Sequence, residues 1–142
     1  MSHDRRERPP GRPWLGGLLL LYLAASLLHF VHNAEYLADY PNLPTWLSRA
    51  DVYLVWLALA AIGAAGWALY RFGQRLAGLL LIGTYAAVGF DGLLHYTRAP
   101  LAAHTQAMNF TIWFEVFAAG LLLTAVVASL AKKFRGKVSS AA

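Results

Sequence analysis

The segment LLHFVHNAEY, residues 27–36, places five polar side chains within about two helical turns at the end of an apolar stretch. On an α-helix, residues three, four or seven positions apart share a face, so His29, His32, Asn33 and Tyr36 are predicted to form one stripe. Imidazole nitrogens are good ligands for Zn, Fe and Cu ions. This face of the helix is therefore a candidate for metal or ligand chemistry.

Two later segments repeat this combination of residue types. Asp91 and His95 are four positions apart in FDGLLHY, and Glu115 follows Thr111 by four positions. His104 precedes that segment and would share its polar face if the helix began early enough. A carboxylate can complete a metal shell beside histidines, or it can move protons as a general base.

We predict that these side chains converge on one transition-metal site for Zn, Fe or Cu. The predicted metal ligands are His29, His32, Asp91, His95, Glu115 and His104, with Glu115 and Asp91 as the groups that move protons. The alternative is that they only satisfy one another, an acid pairing with a histidine or with Arg98 to lock the helices together.

The composition places these residues in a membrane protein. Of 142 residues, 58% are hydrophobic and only 13% are charged, and the mean hydropathy is +0.47. Soluble domains carry about a quarter charged residues. With no cysteine in the chain, disulfides are excluded.

Four apolar runs are long enough to cross a bilayer, which takes about 20 residues each. We predict an all-α bundle of four transmembrane helices, residues 14–131, with basic tails at 1–13 and 132–142. The predicted spans are residues 14–37, 51–70, 76–97 and 108–131.

The basic residues predict the orientation of the bundle. Ten of the twelve Lys and Arg residues lie in the two tails or in the turn RFGQR, and only Arg49 and Arg98 lie on the other side. Positive residues mark the cytoplasmic side, so both termini are predicted to be cytoplasmic, in a bacterial inner membrane. This distribution also argues against nucleic acid as the partner of a chain with net charge +5.

The helical rise predicts a common depth for three of the candidate ligands. At about 1.5 Å per residue, His29, Asp91 and Glu115 each lie about 22–24 Å from the cytoplasmic end of their helix. Ionisable groups in a membrane normally face the bundle interior or a water-filled cavity. The sequence therefore predicts a polar pocket open to the outer side.

A b-type haem is an alternative occupant. LLHF at 27–30 and LLHY at 93–96 are near-identical, and each is followed by a tryptophan on the next helix, which suggests two repeated helical hairpins. Parallel repeats are related by an axis along the membrane normal. His29 and His95 would then face each other as the two axial ligands of a haem in a redox subunit.

A metal-free pocket for an apolar ligand is the other alternative, such as a sterol, a quinone or an isoprenoid. Aromatic side chains are expected to line it, namely Trp46, Tyr53, Trp56, Tyr85, Phe90, Tyr96, Phe110, Trp113 and Phe114. A conducting path is not expected, because the inner halves of the helices carry no charge.

The sequence thus predicts a small membrane protein that binds a transition metal in an outward-facing pocket. If the site is catalytic, it would act as an oxidoreductase or hydrolase on a lipid-soluble or small periplasmic substrate. A bundle of this size is expected to pair with a second copy or with a partner membrane subunit.

Overall fold

The structure, a computed structural model, describes the backbone of residues 13–139 and the side chains of residues 14–133. Within this range the chain is helical and contains no strand. Short 3-10 turns occur at Leu37–Asp39, Asp91–Leu94 and Leu101–Ala103. The α-helices are α1 (Pro13–Glu35), α2 (Arg49–Arg71), α3 (Arg75–Val88), α4 (His95–Arg98) and α5 (Gln106–Ser139).

Four helical segments are long and apolar enough to cross a membrane, which identifies an integral membrane protein. They are Trp14–Glu35, Arg49–Arg71, Arg75–Arg98 and Gln106–Lys133, and they match the four predicted spans to within a few residues. The last helix continues to Ser139 instead of ending at residue 131, because lysine and arginine are good helix formers near a helix C-terminus. The predicted N-terminal tail, residues 1–13, lies almost wholly outside the described residues.

The helix ends follow from local chemistry. Ser48 caps α2 by accepting a hydrogen bond from the Asp51 backbone N–H, and the Asp51 carboxylate accepts one from the Ser48 N–H. This reciprocal capping box satisfies two backbone donors. At the other end of α2, Gly73 has a φ of +94°, a conformation that favours glycine, and it lets α3 begin at once.

The helices form a square bundle. α1 packs against α2 and α5, and α3 packs against the same two helices, so α1 and α3 lie diagonally across the centre. Tyr22 of α1 and Tyr85 of α3 meet in the core with ring centroids 4.5 Å apart. We call the end that holds His29 and Glu115 the histidine end, and the opposite end, which holds Arg75, Lys132 and Lys133, the lysine end.

The third span is not the continuous helix that the sequence predicts. α3 ends at Val88, a 3-10 turn follows at Asp91–Leu94, and α4 covers only His95–Arg98. A Cβ atom at Gly89 would collide with the Tyr22 hydroxyl and lie 2.7 Å from the Ala119 Cβ atom, so glycine permits this close approach. The break changes the helical phase. Thr84, which lies seven positions before Asp91 and would share its face in a continuous helix, is exposed.

Candidate functional site

A buried pair of ionisable side chains lies at the histidine end. His29 of α1 and Glu115 of α5 are 2% and 1% exposed. The distance from His29 Nε2 to Glu115 Oε2 is 3.7 Å. The first and fourth spans therefore bring these two side chains together. The Glu115 Oε2 atom has no hydrogen-bond partner among the described residues.

Thr111 contacts the His29 ring and bears on its tautomer. The Thr111 hydroxyl can donate to the Met108 carbonyl oxygen at 3.0 Å, and His29 Nδ1 lies 3.4 Å from Thr111 Oγ1, a long contact. When the hydroxyl donates to Met108, Nδ1 is the donor to Thr111 and carries the proton of the neutral imidazole. In that tautomer His29 Nε2 presents a lone pair to the Glu115 carboxyl group.

His95 lies between two other histidines. Its ring centroid is 5.5 Å from that of His29 and 6.2 Å from that of His104. The Asn33 Nδ2 atom donates to His95 Nε2 at 3.3 Å. In the described part of the chain, His95 Nδ1 and Asn33 Oδ1 are buried without a hydrogen-bond partner. Buried polar atoms in this state are rare in folded proteins and call for an explanation.

His104 is also brought to this layer, although it lies in the connection before α5. It is buried, and its Nδ1 atom donates to the Pro100 carbonyl oxygen at 3.1 Å. The remaining nitrogen, Nε2, is buried and has no partner among residues 14–133. A histidine whose Nδ1–H is held by a backbone carbonyl has its Nε2 lone pair available for a ligand.

Asp91 lines a pocket beside this group. The pocket has a volume of about 170 Å³, and its polar wall is formed by His29, Asn33, Asp91 and His95. The other lining residues are Phe30, Leu47, Val52, Val55 and Gly92. Asp91 is half-buried and sits on the 3-10 turn after the break in the third span.

The expected aromatic lining is not found in this pocket. Among its lining residues, Phe30 is aromatic and the others are aliphatic or polar. Phe110 and Trp113 belong instead to an outer groove on α5, and Trp46 is 76% exposed. These side chains lie on the lipid-facing or interfacial surface, where membrane proteins commonly carry aromatic residues.

His32 is directed away from the His29–Glu115 pair. Its Nδ1 atom lies 3.0 Å from the Tyr40 hydroxyl, and its ring packs on Tyr36. Tyr40 in turn contacts the His95 ring, with centroids 4.9 Å apart. Burial raises the pKa of Tyr40 to about 12. His32 thus supports the site through Tyr40, a loop residue that no sequence pattern singled out.

Two residues outside the predicted ligand set also shape the site. Thr111 contacts His29 Nδ1 at 3.4 Å, and it was visible in the sequence as part of the Glu115 stripe. A Cβ atom at Gly92 would lie 3.5 Å from Glu115 Oε2 and 4.0 Å from His29 Nε2, which is ordinary van der Waals distance, so the turn at Gly92 lies directly over the pair. Only the break in the third span, which the sequence did not predict, gives Gly92 this position.

The structure thus brings some of the predicted ligands together and places others apart from them. His29, His95, His104 and Glu115 form one buried layer, Asp91 lines the adjoining pocket, and His32 is held by Tyr40. Within the described residues, no group of three or more His, Asp or Glu side chains is already arranged to hold a metal ion. Comparisons with protein-family models, with curated proteins and with solved structures give no match to this chain.

Proposed function

We propose that this integral membrane protein binds a divalent transition-metal ion at its histidine end. His29, Glu115 and His95 are the proposed ligands, and His104 is the fourth. The observation that carries the proposal is the contact between His29 Nε2 and Glu115 Oε2. Two atoms that both bear lone pairs face each other at 3.7 Å in a buried site.

The distance itself supports a shared cation. Nitrogen and oxygen atoms that form a hydrogen bond lie about 2.7–3.2 Å apart, so 3.7 Å is too long for one. Two ligand atoms about 2.0–2.1 Å from a tetrahedral Zn²⁺ lie about 3.3 Å from each other. A small adjustment of either side chain would therefore let both atoms bind one ion.

The two other histidines require small rearrangements to join this pair. Rotating the Asn33 amide by half a turn would bring Oδ1 to His95 Nε2, which would then become the donor. This change would satisfy Asn33 Oδ1 and leave the lone pair of His95 Nδ1 available, the tautomer expected of a metal ligand. His104 needs no change of tautomer, because its Nε2 lone pair is already available.

The pocket gives an ion a route to this layer. Its polar wall includes His29 and His95, and Asp91 adds a carboxylate at its side. Asp91 is therefore the group best placed to attract a cation and to move protons for a substrate in the pocket, whereas Glu115 is assigned as a ligand. The positive-inside rule supports a pocket that opens away from the cytoplasm, with both termini cytoplasmic.

A haem is less well supported than a single ion. The porphyrin plane would have to pass between the His29 and His95 rings, whose centroids are only 5.5 Å apart. The adjoining pocket, about 170 Å³, is smaller than the cavities that usually hold cofactors.

The aliphatic wall of the pocket favours one second candidate, a small apolar or amine ligand. Phe30, Leu47, Val52 and Val55 face the polar residues across the pocket, and an apolar surface with a few polar groups is typical of ligand sites. In this alternative Asp91 would pair with the ligand, and the histidines would contribute only to stability.

Metal analysis of protein purified without a histidine tag tests the proposal. We expect about one equivalent of zinc, iron or copper per chain after supplementation. His104→Ala and Glu115→Gln should each lower the metal affinity at least tenfold. Asn33→Leu should also weaken binding, and Asn33→Asp, which keeps an acceptor for His95 Nε2, should restore it.

His3, which lies outside the layer, provides the matched control. His3→Ala removes an imidazole in the N-terminal segment, and this variant should retain the metal. Less than about a tenth of an equivalent of any metal in the wild-type protein would refute the proposal. Binding of an apolar amine that is lost in Asp91→Asn would then support the second candidate.

A further inference from the structure

A second cavity, of about 330 Å³, lies at the lysine end and is independent of the proposed metal site. Three of its lining residues are basic: Arg75 at the start of α3, and Lys132 and Lys133 on α5. Tyr70, Leu79 and Ser129 complete its lining, and all three are buried. The cavity thus combines a basic rim with a floor that is mostly apolar.

No acidic residue in the described part of the chain can neutralise this rim. The sequence contains no Asp or Glu at 52–90 or at 116–142. The acids between residues 14 and 133 lie at the histidine end, where Glu35 pairs with Arg49 and Asp51 caps α2. Like charges gathered in one place repel one another, so an anion bound between them would be stabilised.

The position of the cavity indicates which anion this is. α2 ends at Arg71 and α3 begins at Arg75, so the cavity lies where two membrane spans leave the bilayer. Phosphate groups of lipids occupy this level, and basic pockets between transmembrane helices bind anionic headgroups. The α3 N-terminus adds a partial positive charge at the same place.

We propose that this cavity binds the headgroup of an anionic phospholipid. Arg75, Lys132 and Lys133 would contact the phosphate, while Tyr70 and Leu79 would pack against the glycerol and the first part of the acyl chains. A zwitterionic lipid carries a cationic group next to its phosphate and would be repelled by the same residues. The site should therefore discriminate by net lipid charge.

Native mass spectrometry of the full chain in dodecyl maltoside tests the proposal, with dioleoyl phosphatidylglycerol and dioleoyl phosphatidylcholine as probes. The wild-type protein should bind the anionic lipid at least tenfold more tightly. Lys132→Gln combined with Lys133→Gln should abolish most of this preference, because each basic residue near the membrane surface contributes about fivefold. The pair Lys132→Arg and Lys133→Arg should retain it.

The variant Arg49→Gln with Arg98→Gln is the matched control, since it removes the same charge at the histidine end. It should keep the preference. The proposal would be overturned if the control lost the preference equally, or if the lysine-to-glutamine variant kept it. It would also be overturned if millimolar glycerol 3-phosphate or inorganic phosphate displaced the lipid. Circular dichroism checks that each variant is folded. Metal content should be unchanged in all of them, so this result is separable from the proposed function.

Discussion

His29 Nε2 and Glu115 Oε2 lie 3.7 Å apart in the bundle interior, and Glu115 Oε2 has no hydrogen-bond partner among the described residues. Such a contact needs a cation, a proton or a donor molecule between the two atoms. An imidazolium–carboxylate ion pair and a metal ion are the two main ways to satisfy it. The two arrangements predict opposite effects on stability when the carboxylate is replaced by an amide.

Glu115→Gln distinguishes these two states. In the presence of a chelator, the new amide N–H can donate to His29 Nε2, so we expect the variant to be more stable than the wild type by about 1 kcal/mol. Excess metal should stabilise the wild type by about 2.7 kcal/mol at a hundredfold excess over its dissociation constant, and the variant by about 1.4 kcal/mol or less. Thermal unfolding in detergent measures both effects. If the pair were an ion pair, the variant would instead lose about 3–5 kcal/mol in the chelator.

Gly89→Ala should destabilise the bundle and loosen the site. The added methyl group would collide with the Tyr22 hydroxyl and with Ala119, and overpacking of this kind costs about 1–3 kcal/mol. Gly17→Ala is the control, because a Cβ atom there meets nothing within 4 Å. The control should be neutral or slightly stabilising, since alanine favours a helix over glycine. A Gly89→Ala protein as stable as the control would contradict the close approach of α3 to α1.

Stability should fall at high pH because of Tyr40. Burial raises the pKa of this phenol to about 12, above the value near 10 of an exposed tyrosine. Between these values the unfolded chain releases the proton and the folded protein keeps it, so the free energy of unfolding decreases as pH rises from 10 to 12. The contribution of Tyr40 is at most about 3 kcal/mol. Tyr40→Phe should have a shallower pH dependence in this range when unfolding is followed by circular dichroism.

Both termini should lie in the cytoplasm. Ten of the twelve basic residues lie on one side of the four spans, and positive residues are retained on the cytoplasmic side. A green fluorescent protein fused after Ala142 should fluoresce, and alkaline phosphatase fused at the same point should be inactive. The opposite pair of results would place the His29 pocket on the cytoplasmic side and reverse its proposed access.

The class of the fold and most of the residues near the site could be predicted from local patterns along the chain. Hydropathy and length fix four spans, because a bilayer requires long apolar helices whatever their partners are. The three- and four-residue spacings put His29 on a polar face, and the helical rise placed it at the depth of Glu115. Both predictions are local, since they depend only on helix geometry.

The tertiary structure decided which polar residues meet and in which state. Helix geometry alone could not foresee the break after Val88, where Tyr22 and Ala119 approach Gly89 from two other helices so closely that a Cβ atom would collide with them. This break positions Asp91 and Gly92 beside the pair. Likewise, His32 has the same spacing signal as His29, but it pairs with Tyr40 from the following loop. Contacts between distant segments thus separate two histidines that the sequence presents as equivalent.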